Sequence, residues 1–198
     1  LSHTYAPGTP FEVTSLKDVS LEVFKGEFLA VVGATGSGKS TLVQHFNGLL
    51  RPTAGQVTVC GLDVTCKDAG RTLWRKVGLV FQRPEQQFFE ETVFAEVAFG
   101  PKNMGLPEPE VKERVAEALR LVGLDPEQTG PLSPYRLSSG LQRRAAIAGI
   151  LAMRPEVLIL DEPSSGLDPA GRRLLFSLLQ KVRHAWATTI ILVTHNME

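Results

Sequence analysis

The segment Gly33 to Thr41 reads GATGSGKST and lies between an apolar run, Phe28 to Val32, and a stretch of helix-forming residues. A strand, a glycine-rich turn and a helix in that order are the context that a backbone cradle for phosphate requires. Gly33, Gly36 and Gly38 let the chain turn tightly and aim consecutive N–H groups inward, while the following helix directs its positive end at the same anion. Lys39 adds a point charge for the β- and γ-phosphates. The Ser40 hydroxyl is placed to bind Mg²⁺, an ion that prefers hard oxygen donors. Ala34, Thr35, Ser37 and Thr41 complete the segment expected to contact a nucleoside triphosphate. A plain glycine-rich turn would not need the strand before and the helix after.

A second constellation lies far along the chain. Val157 to Leu160 is an apolar strand that ends in Asp161 and Glu162, as expected where a sheet edge delivers carboxylates to a metal–phosphate site. The two acids can divide the work. Asp161 would hold Mg²⁺ through its water shell, and Glu162 would polarise the water that attacks the γ-phosphate.

Other apolar runs read as strands buried on both faces: Phe28 to Val32, Val77 to Phe81 and Ile190 to Val193, which together with Val157 to Leu160 predict a parallel central sheet. Amphipathic helices fall between them. The clearest runs from Arg172 to Arg183, with Leu174, Leu175, Leu178, Leu179 and Val182 in one stripe and Asp168–Pro169 as its start signal. Another runs from about Glu110 to Val122 and stops at Gly123. Segments Glu12 to Phe24 and Gln56 to Val64 alternate in the manner of antiparallel strands and predict a small sheet beside the nucleotide. Residues 83–146 hold no buried-strand run, and they predict a helical lobe inserted into an α/β core formed by 1–82 and 147–198.

Charge decides against one class of partner. Lys and Arg total 21 against 21 Asp and Glu, so no whole-chain field draws the protein to nucleic acid or an anionic membrane. The longest apolar stretch, Ala145 to Met153, is far short of a bilayer span. Cys60 and Cys66 are too few for a disulfide framework and favour a reducing cytoplasm. Leu1 opens the sequence without a signal-like segment and Glu198 closes it soon after a strand, so a chain truncated at both ends is expected.

With these stations in place, Leu137 Ser138 Ser139 Gly140 Leu141 Gln142 Arg143 Arg144, upstream of LILDEP, resembles the signature segment of ATP-binding-cassette (ABC) ATPases. Gln82, directly after the strand Val77 to Phe81, matches the family's Q-loop glutamine. Ser165 Gly166 Leu167 Asp168 matches its D-loop, and His195 its switch histidine. Tyr5 sits where the family places an adenine-stacking aromatic. The resemblance implies an α/β P-loop ATPase core with a small antiparallel β-subdomain and an inserted helical lobe. It also implies catalytic roles for Glu162, His195 and Gln82. Ser40, Gln82 and Asp161 would hold Mg²⁺, and Tyr5, the phosphate loop, Ser138, Gly140 and Asp168 would contact ATP.

Within the family, Phe81 to Glu85, Phe89 to Val93, Val97 to Asn103 and Arg143 to Met153 resemble energy-coupling-factor (ECF) transporter ATPases, nearer the second of their two paired ATPases. That resemblance implies MgATP hydrolysis energising uptake of a vitamin or metal ion. It also implies a second ATPase subunit, identical or paralogous, packed head to tail, and two membrane proteins, one coupling and one capturing the solute. The chain would then sit on the cytoplasmic face of the membrane through those partners, with no nucleic-acid role. A soluble ABC-type ATPase, or a nucleotide switch with little hydrolysis, is the competing reading; Glu162 and His195 favour hydrolysis. Ser139 and Leu141 depart from the usual LSGGQ signature, which predicts weakened sandwiching of ATP. The phenylalanines Phe88, Phe89, Phe94 and Phe99 after Gln82 predict either a groove for a membrane subunit's helix or the lobe's own core.

Overall fold

The computed structural model describes residues 1–66 and 68–195. Its chain order is β1 (His3–Tyr5), β2 (Val13–Leu16), β3 (Phe28–Val32), α1 (Lys39–Phe46), β4 (Thr58–Val59), β5 (Leu62–Asp63), α2 (Ala69–Lys76) and β6 (Val77–Val80). A helical stretch follows: α3 (Val93–Asn103), α4 (Glu108–Leu121), the short α5 (Pro126–Thr129) and α6 (Ser139–Leu151). The chain then returns through β7 (Val157–Asp161), α7 (Pro169–Trp186) and β8 (Thr189–Thr194).

The central sheet has the order β3-β8-β7-β6, and every pairing in it is parallel. Its inner strands explain the unbroken apolar runs. Leu158, Leu160, Ile190 and Leu192 face one apolar cluster, and Ile159, Ile191 and Val193 face another on the opposite side. Strand side chains alternate between faces, so a strand covered on both sides must be apolar throughout. Full burial of each such Leu or Ile is worth about 1.5–3 kcal/mol.

β3 departs from the expected burial on both faces. Among the described residues it pairs only with β8 and lies at the sheet's edge, and Ala30 and Val32 stay exposed. The expected single antiparallel sheet is also revised. Two separate two-stranded pieces form, β1 with β2 and β4 with β5, and between residues 12 and 24 only Val13–Leu16 is strand. Cys60 and Gly61 join β4 to β5 with φ of 50° and 76°, the left-handed pair that a tight hairpin turn uses.

The helical lobe packs α3, α4 and α6 through Val97, Val115, Leu119, Ala148 and Leu151, in one continuous cluster with Leu178 and Leu179 of α7. α4 stops at Gly123, whose φ of +75° suits the left-handed end of a helix. α7 begins where Asp168 Oδ1 accepts the Gly171 N–H at 2.7 Å, with Pro169 at its first position. Leu174, read as part of the buried stripe, is exposed, while Leu175, Leu178, Leu179 and Val182 are buried. α6 continues unbroken through residue 146, where the sequence divides lobe from core.

Candidate active site

All four strands of the parallel sheet point their carboxyl ends at the same cleft. β3 runs into the phosphate loop, β8 ends before His195, β7 delivers Asp161 and Glu162, and β6 leads to Gln82. Ligands of open α/β sheets bind at such carboxyl ends. The cleft has a volume of about 360 Å³ and is lined by Thr35, Gly36, Gly38, Lys39, Ser40 and Thr41 on one side and Gln82, Asp161, Glu162 and His195 on the other, with Ser15 beside them.

Sterics fix the loop's glycines. Gly38 has φ +87°, and a Cβ there would lie 2.7 Å from the Ser15 carbonyl and 2.9 Å from Leu16 Cδ2. Gly33 lacks room for a different reason, since a Cβ would come within 2.8 Å of Ser37 Oγ. The Ser37 N–H donates back to the Ala34 carbonyl at 3.2 Å and closes the turn. Lys39 Nζ donates to the carbonyls of Gly33 (2.7 Å) and Ala34 (2.9 Å), which holds the ammonium over the loop. An ammonium has three N–H donors, so one is left for an anion.

Ser40 Oγ donates to Asp161 Oδ2 at 2.9 Å. Two of the three side chains that sequence reading assigns to Mg²⁺ thus meet from distant parts of the chain. Gln82 lines the same cleft. Hard oxygen donors of this kind fit Mg²⁺, which keeps several waters and takes few protein ligands. Among the described residues no group of three or more His, Cys, Asp or Glu side chains is placed to hold a metal ion.

Glu162 occupies an uncommon backbone conformation, φ 51°, with its N–H donating to the Val193 carbonyl at 2.9 Å. Such a conformation costs a non-glycine residue on the order of 1–3 kcal/mol and persists only where its surroundings impose it. Its carboxylate is only 14% exposed and accepts from His195 Nδ1 at 2.6 Å. The bond fixes the carboxylate, and both residues line the cleft.

The remaining sequence assignments divide. Thr41 is buried, its Oγ1 accepting from Ser15 Oγ at 2.9 Å and lying 3.2 Å from Tyr5 Oη. Its hydroxyl therefore serves the junction between the loop and the N-terminal strands. Tyr5 is 41% exposed and does not line the phosphate cleft, but that hydrogen bond fixes its ring beside it. Ser138 and Gly140 are exposed at the start of α6, away from the phosphate cleft, and the Ser138 hydroxyl makes no capping bond. Asp168 caps α7 and lines a neighbouring cleft of about 440 Å³ with Gln82, Ser139 and Gly140.

The substituted signature also reads differently once folded. Ser139 is the first residue of α6 and is not among the residues of positive φ, so its side chain imposes no backbone strain. Leu141 packs against the lobe's core.

Sequence reading missed a buried histidine pair behind the loop. His45 Nδ1 donates to the Thr41 carbonyl (2.7 Å), and its Nε2 lies 3.2 Å from His3 Nδ1, whose single N–H is shared with the Arg51 carbonyl at 3.0 Å. The pair ties β1, and with it Tyr5, to α1. A histidine in the last turn of a helix carries no sequence signal for such a role. Burial lowers the His45 pKa below its ordinary value of 6.5; the Thr41 carbonyl opposes that shift and His3 adds to it. The unfolded chain then takes up the proton first. The His45 contribution is full above pH 6.5 and is lost as pH falls through the folded value. Thermal unfolding midpoints of the full chain are expected to drop on acidification below 6.5. His45→Gln should flatten that dependence; an unchanged slope would remove His45 as its source.

Comparisons with known proteins point the same way. A family model described as ABC transporter matches residues 16–165. The chain is 51% identical over 199 residues to the energy-coupling factor transporter ATP-binding protein EcfA2 of Clostridium tetani, covering 100% of this chain and 69% of the relative. It is 54% identical over 199 residues to the EcfA2 of Symbiobacterium thermophilum, covering 100% of this chain and 68% of that one. Among solved structures, cbiO1 from Clostridium perfringens, part of the ABC transporter complex cbiONQ, is similar with a TM-score of 0.88 at 39% identity, over 99% of this chain and 76% of that chain. The dimeric ATP-binding cassette MJ0796, in a post-hydrolysis state bound to ADP and phosphate, gives 0.85 at 30% identity, over 99% of this chain and 86% of that one.

Proposed function

The chain belongs to the ABC transporter family, among its energy-coupling factor ATP-binding proteins, and on that premise we propose that it binds and hydrolyses MgATP to energise a membrane importer of a vitamin or metal ion. The observation that carries this is the convergence of the phosphate loop, the Ser40–Asp161 pair and the Glu162–His195 pair at the carboxyl ends of adjacent parallel strands. Placement near the second of two paired ATPases accords with the EcfA2 name of both relatives.

In this reading the loop N–H groups and Lys39 hold the β- and γ-phosphates. Ser40, Gln82 and Asp161 would hold Mg²⁺, which when bound would neutralise charge that builds up on the phosphate oxygens. Glu162 accepts the proton of the attacking water. His195 holds that carboxylate in place and reaches toward the γ-phosphate. Tyr5 stacks on the adenine.

Neither Ser138 nor Gly140 lines the phosphate cleft of its own chain. Their exposed position at a helix start, where Gly140 shares a cleft with Asp168, suits the γ-phosphate of ATP held by a second subunit packed head to tail. ATP at that interface favours the closed pair, and hydrolysis removes the bias.

The membrane partner has a surface of its own. The four phenylalanines divide: Phe88 is buried and Phe94 packs against the lobe's core, whereas Phe89 (59% exposed) and Phe99 (45%) meet edge to face at 4.7 Å. Those two line a groove of about 480 Å³ with Trp74, Ile150 and Met153. A short helix of the coupling subunit fits such an apolar groove, which would place the chain on the cytoplasmic face. Among the described residues no helix is long and apolar enough to cross a membrane. Co-expression with candidate membrane subunits tests the proposal. The full chain should purify with them and the complex should turn over ATP and take up solute, while Phe99→Glu should reduce recovery of the membrane subunit at least about tenfold without altering MgATP binding. Consistent recovery with ribosomes instead, or equal recovery of the variant, would overturn the transport reading or the groove respectively.

A further inference from the structure

Arg143 stands in the second turn of α6, the helix that carries the signature at its start, and its side chain is only 11% exposed. Its guanidinium is spent on backbone from three other places. Nη2 donates to the Gln82 carbonyl at 2.8 Å, while Nη1 donates to the Ser165 carbonyl at 2.8 Å and lies 3.4 Å from that of Pro163. Nε faces Glu85 Oε2 at 3.6 Å. That carboxylate oxygen is buried and has no hydrogen-bond partner among the described residues, so Arg143 is what offsets its charge.

These partners are not arbitrary. Gln82 lines the phosphate cleft, Pro163 directly follows Glu162, and Ser165 opens the turn that leads to Asp168. One planar fork therefore joins the signature helix to both sides of the hydrolytic site. Only arginine has donors enough, and fixed directions enough, to hold separate carbonyls and a carboxylate together. Coupling between sites travels through such hydrogen-bonded networks between rigid elements. Resting on the ATP-hydrolysing reading above, we infer that Arg143 is a positioning residue that sets Gln82 and the Glu162–Pro163 turn according to the placement of the signature helix. Engagement of Ser138 and Gly140 by a partner's nucleotide is thereby felt at this chain's own cleft. Arg143 does not itself line the phosphate cleft and acts through the residues it holds.

The test is steady-state ATP hydrolysis by the assembled membrane complex, with thermal unfolding measured alongside. Arg143→Lys keeps the charge and loses the fork. It is expected to lower kcat about tenfold with KM for MgATP within about twofold, and the unfolding midpoint close to the parent's. Adding Glu85→Gln to Arg143→Lys should cost much less than the two single losses combined, because both act through one network. Should the lysine variant fail to assemble, Arg143→Gln combined with Glu85→Gln, which removes both charges and keeps a donor, is expected to show the same split of kcat from KM. Parental kcat in the variants, a KM that rises in step with the fall in kcat, or loss of folding in both would each overturn the inference and leave Arg143 a structural prop. A parent complex without turnover would instead sink the catalytic reading itself. The two failures are thus told apart.

Discussion

Glu162→Gln is expected to lower ATP turnover by the assembled complex about 10²- to 10⁴-fold, the range that a positioned general base supplies, while MgATP affinity stays within about threefold of the parent's. The amide has the shape of the carboxylate and leaves the backbone bond to Val193 untouched. It can still accept from His195 Nδ1, which lies 2.6 Å from the carboxylate oxygen. What it lacks is a basic oxygen to take the proton from water. Binding therefore survives and chemistry does not. Phosphate release together with nucleotide binding on the same preparation reads both quantities. Turnover at the parental rate would mean that another group activates the water.

Lys39→Ala should fail at the earlier step. The substitution removes the loop's only side-chain cation and its bonds to the Gly33 and Ala34 carbonyls. A hydrogen bond to a charged group is worth about 1.5–3 kcal/mol, so MgATP affinity is expected to fall about 10- to 150-fold or more. Fold stability without nucleotide should change little, because the loop's shape rests on Gly33 and Gly38 and on the strand–helix junction. Equilibrium dialysis with labelled ATP, checked against the unfolding midpoint, separates these effects. Parental affinity in a folded variant would remove Lys39 from the phosphate site.

Local chemistry was readable in the sequence wherever one residue type alone suits the backbone. Gly38 is the clearest case, since its φ of +87° and its contact with Ser15 both exclude a side chain. The inner strands β7 and β8 were readable too, because cover on both faces forces apolar runs. β3 looked the same and yet, among the described residues, lies at the sheet's edge. Strand order is a property of long-range pairing, and composition does not carry it. Distance along the chain hid the rest. Thr41 faces Tyr5 and Ser15, His45 faces His3, and Arg143 faces Gln82 and Ser165. Each of these contacts spans tens of residues and exists only after the sheet has formed. The phenylalanines show the same limit, for Phe88 and Phe89 are neighbours in sequence but one is core and the other lines the groove.

Calorimetric titration of the full chain with MgATP bears most directly on whether this cleft is a nucleotide site at all. One saturable event per chain, abolished by Lys39→Ala and retained by Glu162→Gln, is the expected result. No heat and no saturable association with correctly folded protein would contradict it, and the transport assignment would fall as well.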